Sequence, residues 1–296
     1  MPDPAAYAPH EDLLRTARAR PEFWRLLVGL VIVGAIYLLL NSVLFAVIGA
    51  LASPEQAEGF LRGTSALATL VLLFSFVFMT LGVAIAVHQM QHRRLRSLFG
   101  ARSPCLRQFR QVLIGLILLG AAMTVLPPYG FGAPLTQNLA LTTWLLLLPI
   151  SLFAVLIQTS AEEILFRGYL QQSLAARFRS PLIWIGVPSI LFAAGHYAPV
   201  ITGENAPMVA IWAFVFGVLA ADLTARSGTL GPAIALHFFN NSSALLFISL
   251  PDTLSGLSLY LLPYDMADTQ ALRDWLFVDF AVMMICWLTA RLALRR

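Results

Sequence analysis

Long apolar runs separated by short polar stretches dominate this chain. With about 20 residues as the length that crosses a bilayer as a helix, eight runs qualify. They lie at roughly 26–51, 64–88, 111–127, 141–166, 182–198, 207–225, 229–250 and 273–293, the third and fifth being short. The pattern predicts an all-α fold, a polytopic membrane bundle of about eight transmembrane helices. Residues 1–25 are polar and contain no apolar core of a signal peptide, so they read as a cytoplasmic N-terminal tail with room for a short interfacial helix. Residues 26–296 read as a single transmembrane domain, because no polar stretch is long enough to bury a core of its own. There is no internal repeat and no low-complexity segment.

Composition sharpens this picture. Of 296 residues, 59% are hydrophobic and 11% charged, against about 25% charged in a soluble domain. All 19 basic residues are arginine, which excludes a Ser-Lys dyad, a Schiff-base lysine and a P-loop lysine. Placing the N-terminus inside puts Arg15, Arg18, Arg20, Arg25, Arg93, Arg94, Arg96, Arg102, Arg107, Arg110, Arg167, Arg177, Arg179, Arg226, Arg291, Arg295 and Arg296 on the inner side. Arg62 and Arg273 are left outside, a ratio of 17 to 2. By the positive-inside rule both termini are cytoplasmic, and the net charge of +4 reflects loop bias, not a nucleic-acid footprint. Cys105 and Cys286 form no metal-ligand spacing and read as incidental thiols.

Ionisable groups inside apolar runs are costly and so mark function. Glu162, Glu163 and Arg167 follow the run LTTWLLLLPISLFAVLIQTS. Glu163 and Arg167 are four apart and can pair on one helix face; Glu162 points about 100° away and has no such neighbour. With helical pattern continuing to Ser180-Pro181, Glu162 lies ~22 Å from the cytoplasmic boundary, His196 at a similar depth and His237 ~13 Å in. Four polar groups from three helices, Glu162, His196, His237 and Asn241, therefore share the membrane interior. A carboxylate and a histidine can activate water, while a second histidine and an amide can stabilise an oxyanion. The set Glu162, His196 and His237 equally fits a divalent metal such as zinc with an open position; without a metal, no cofactor is needed.

Other candidates weigh less. His10, His88 and His92 read as solvated or interfacial, Asp222 and Arg226 as a structural ion pair, and Asp279 as a buried acid with a structural role. His10-Glu11 begins an HExxH motif, but Leu14 stands where the second histidine belongs. No GxSxG and no pair of intramembrane aspartates occurs.

Glu162-Glu163-x-x-x-Arg167, Phe192-x-x-x-His196 and His237-x-x-x-Asn241 resemble, in order and spacing, the three motifs of the CPBP (ABI) family of CAAX prenyl endopeptidases and bacteriocin-processing membrane proteases. The resemblance covers about 140–250. It implies an eight-helix intramembrane endopeptidase acting on a membrane-associated protein or peptide, with its site open towards the cytosol. Glu162 then corresponds to the catalytic carboxylate, His196 to its partner in water activation, and His237 with Asn241 to the oxyanion pair. Glu163, Arg167 and Phe192 correspond to supporting residues. With the arginine-only, compact chain, which reads as bacterial, the resemblance implies a multi-pass protein of a plasma (inner) membrane. It names neither the substrate nor the oligomeric state, and it leaves two alternatives open: a non-catalytic immunity or scaffolding factor of the same fold, and a transporter using Glu162, Glu163 and Asp279.

Overall fold

The computed structural model describes residues 4–126, 134–265 and 268–295; the end of the third predicted span at residue 127 and Arg296 lie outside these. The helices are α1 (Ala8–Leu14), α2 (Phe23–Leu51), α3 (Pro54–Arg62), α4 (Ala66–Phe74), α5 (Val77–Gln91), α6 (Arg102–Val125), α7 (Leu141–Glu163), α8 (Gln172–Arg177), α9 (Pro181–Trp184), α10 (Gly186–His196), α11 (Pro199–Thr202), α12 (Ala206–Ser227), α13 (Gly231–Ser242) and α14 (Thr269–Leu294). Among the described residues, six continuous helical segments are long and apolar enough to cross a membrane, and Pro181–His196 is a shorter apolar one. With α13 and its extension to Phe247, the all-α bundle of about eight membrane segments stands.

Three boundaries differ from the sequence pattern, each for a local reason. Helix α6 starts at Arg102, nine residues ahead of the expected apolar run, so Arg102, Arg107 and Arg110 lie on a helix and not in a loop. The fifth segment is broken at Ile185. Pro188 has no N–H for the carbonyl of Trp184, and the ladder is interrupted there. The fourth segment reaches Arg177 as expected, but Ile164–Gln171 is a π-helix. A second π-turn, Ser243–Phe247, follows α13.

Helix α12 lies in the most buried of the six long segments. It crosses α10 closely, because a Cβ on Gly217 would come within 3.0 Å of Ser189; small residues allow such approaches between membrane helices. Around it Phe192, Phe216, Leu223, Leu236 and Met283 form a core. The peripheral helices turn Val31, Leu38, Leu39, Leu118 and Leu146 outward, as a lipid-facing surface requires. Opposite the arginine-rich end, strands β1 (Thr136–Gln137), β2 (Ile248–Ser249) and β3 (Tyr260–Leu261) make a small sheet in the order β1-β3-β2, with β1 antiparallel and β2 parallel to β3.

The N-terminal residues are docked, not free. His10, Leu13, Leu14 and Ala17 are buried and recur at i, i+3, i+4 and i+7, one face of a helical path. His10 is 2% exposed with its ring 4.8 Å from that of Trp184, which corrects the expectation of a solvated histidine. Tyr7 donates to Asp222 Oδ1 at 2.8 Å, Trp287 Nε1 to Oδ2 at 3.1 Å, and Arg226 Nε to both oxygens at 2.8 and 2.9 Å. The predicted Asp222–Arg226 pair thus also joins the N-terminal segment to α12 and α14. The approach is close enough that a Cβ on Gly228, which has φ +70°, would meet the Pro9 carbonyl oxygen at 2.5 Å.

Candidate active site

The site is assembled on the C-terminal end of α7, where apolar Val155, Leu156 and Ile157 give way to Gln158, Thr159 and Ser160 and then to the glutamates. Glu163 is completely buried, Arg167 is 1% exposed and His237 3%. Arg167 Nη1 donates to Glu163 Oε1 at 2.9 Å, as the four-residue spacing predicts. Its second amino group donates to the carbonyl of Gly217 at 3.2 Å, and the guanidinium faces the Phe192 ring at 4.9 Å. The pair forms within the first turn of the π-helix. Such turns occur often at functional sites, where the widened ladder re-aims side chains.

His237 bridges the two carboxylates. Its Nδ1 lies 2.8 Å from Glu163 Oε1 and its Nε2 3.4 Å from Glu162 Oε2. The Nδ1–H donates to Glu163, so in a neutral ring Nε2 presents a lone pair to a carboxylate oxygen.

The remaining groups surround this pair. His196 Nδ1 donates to the Phe192 carbonyl at 2.8 Å, which leaves Nε2 as the free acceptor of the neutral ring. Its ring is 4.4 Å from that of Phe192, which in turn lies 6.0 Å from the His237 ring. Phe192 therefore stands next to both histidines, and among the described residues no hydrogen bond or ion pair joins Glu162 directly to His196. Asn241 Nδ2 donates one hydrogen to Gln158 Oε1 at 2.8 Å, and the other remains for a ligand. Tyr37 of α2 is within electrostatic reach of Glu162. Asp279 lies beside the Trp212 indole on α12.

The sequence pattern brings Glu162, Glu163, Arg167, Phe192 and His237 into one cluster, with Asn241 attached through Gln158 and His196 at the edge. His237 Nδ1 is hydrogen-bonded to Glu163, while its Nε2, 3.4 Å from Glu162 Oε2, makes only the looser contact. Gln158 was not singled out by sequence, although it is polar within an apolar run and one turn before Glu162 on the same face. Among the described residues no three His, Cys, Asp or Glu side chains gather as a metal-ligand set; Glu162, His196 and His237 in this arrangement do not fit a zinc site.

Comparison with known proteins agrees with the motifs. Residues 142–243 match the family described as type II CAAX prenyl endopeptidase Rce1-like, and all three motifs fall inside that range. The chain is also similar to an uncharacterised protein, YyaK, of Bacillus subtilis (strain 168), 26% identical over 185 residues; the match spans 61% of this chain and 61% of that relative. No solved structure matches.

Proposed function

We propose, from the premise that residues 142–243 are an Rce1-like region, that this multi-pass membrane protein is an intramembrane endopeptidase. The observation that carries the reading is the buried Glu162–His237–Glu163–Arg167 cluster beside a half-buried His196. Glu162 accepts a proton from the attacking water as its oxygen bonds to the scissile carbonyl carbon. His196, with Nε2 free, orients that water. The carbonyl oxygen takes up the negative charge and receives the second Asn241 N–H. On collapse the C–N bond breaks, and the proton returns from Glu162 to the leaving nitrogen. His237 acts as the proton relay between the two carboxylates, and Glu163 with Arg167 holds its ring in place. Because the residues do not form a metal-ligand set, every step is assigned to side chains.

The substrate is a membrane-associated protein or peptide whose scissile bond reaches the level of Glu162. The asymmetry of 17 arginines to 2 supports both termini in the cytosol, the similarity to a Bacillus subtilis protein supports a bacterial plasma (inner) membrane, and residues 26–296 are assigned to one catalytic domain. The test compares C-terminal peptides of membrane fractions from cells carrying the wild-type chain or Glu162→Gln at equal abundance. C-termini present only with the wild type are expected. Identical cleavage by both proteins would refute the reading.

A further inference from the structure

We propose that the cleft between α6 and α14 at the arginine-rich end binds the headgroup of an anionic phospholipid. The cleft has a volume of about 480 Å³ and is lined by Arg107, Gln108 and Gln111 of α6 and by Ala293, Leu294 and Arg295 at the end of α14. That volume suits a small polar ligand. Arg107 and Arg295 have no carboxylate partner among the described residues. Two free guanidiniums and two amides facing one cavity present donors that match phosphate oxygens.

One wall of the cleft is fixed before any ligand arrives. Gln108 Nε2 donates to the Ser227 carbonyl at 3.2 Å, and its Oε1 accepts from Thr229 at 2.5 Å. These bonds hold the side chain against the turn that begins α13, so little ordering remains to be done on binding.

Position decides between a lipid and a free anion. The apolar run of α6 begins at Val112, directly after Gln111, and that of α14 ends at Leu294, directly before Arg295. The polar lining therefore sits at the boundary between the apolar slab and water, the level of lipid phosphates. Below it the helices close, with Gly115 facing Thr289 and Ala293. The outward faces continue as an apolar track of Ile114, Ile117, Leu118, Leu288 and Leu292. A headgroup in the cleft leaves its acyl chains on this track, whereas a free anion gains nothing from it. Basic pockets between membrane helices bind anionic headgroups by the same combination of charge and depth.

The test reconstitutes the full chain in equimolar phosphatidylglycerol and phosphatidylcholine, releases it into detergent, and counts retained lipid by native mass spectrometry. Phosphatidylglycerol is expected to be retained in preference. Arg107→Gln/Arg295→Gln should weaken its retention about 25-fold, from roughly fivefold per arginine. Both side chains are exposed, so folding is unaffected. Arg62→Gln, on α3 and paired with Glu58, should change nothing. Equal retention of the two lipids by the wild type, or undiminished phosphatidylglycerol in the double variant, would overturn the proposal. Complete displacement by inorganic phosphate would assign the cleft to a free anion and overturn it too.

Discussion

Arg167→Met removes the guanidinium that neutralises Glu163 and keeps a side chain of similar length. Both partners are buried, at 1% and 0% side-chain exposure, so solvent cannot replace the lost charge. Removing one member of such a pair costs about 3–5 kcal/mol. An independent route gives the same size: holding a glutamate of ordinary acidity protonated at pH 7 costs about 3.5 kcal/mol. The Gly217 carbonyl also loses its donor, adding about 1 kcal/mol. In Glu163→Gln/Arg167→Met the stranded charge is gone, and the amide oxygen still accepts from His237 Nδ1. The double variant should therefore be more stable than Arg167→Met by at least about 2 kcal/mol. Unfolding by sodium dodecyl sulfate in mixed micelles measures both. If the double variant is as destabilised as the sum of the two single variants, the charge argument is wrong and Arg167 acts through packing alone.

Other outcomes follow from the same geometry. Gln158→Ala should lower kcat about 10–100-fold with KM unchanged, because Asn241 loses its orienting acceptor; Gln158→Glu keeps that acceptor and should recover most of the rate, while Asn241→Ala should cost about 100–1000-fold. Burial first, and Arg18 second, push the His10 imidazole down to about 4. The undocked segment thus takes up a proton near pH 6.5 that the docked segment refuses, so docking is full above that value and loses up to about 3 kcal/mol as pH falls towards 4. Hydrogen exchange of residues 8–19 at about pH 7 and about pH 5 reads this loss, and His10→Phe should abolish the difference. Chelation should leave cleavage unchanged; loss on chelation with recovery on zinc addition would show that Glu162, His196 and His237 rearrange into a ligand set.

The membrane bundle and the three motifs were legible because both rest on local physics: apolar length, and charges where charges are expensive. The Glu163–Arg167 bond follows from helical spacing alone. The second bond of Glu163, to His237, was not legible, because a carboxylate paired on its own helix still has lone pairs to offer a neighbour. Gln158 carried a readable signal in its position one turn before Glu162. The docked N-terminal segment carried one as well, in His10, Leu13, Leu14 and Ala17, but its polar composition outweighed a single short stripe. The π-helix at Ile164–Gln171 has no local signature, since packing across the bundle selects it over α geometry.

That π-helix has a consequence for how the chain tolerates change in length. A single π-turn amounts to one residue added to an α-helix, and one residue in α geometry advances the side-chain direction by about 100°. Upstream of Ile164 the phase is set by Glu162 and Glu163; downstream it must deliver Gln172 to Arg93, at 2.7 Å, and Ser173 to Gln91, at 2.8 Å. The added residue lets one rod satisfy two incompatible phases. Deleting one residue between Gly168 and Gln171, beyond Arg167 and its bond to Glu163, would leave the Glu162–Arg167 motif where it is and swing the cytoplasmic end of the rod off its partners. Relatives that solve the two phases differently should differ here by a gap of one position, while the motifs on either side remain in register.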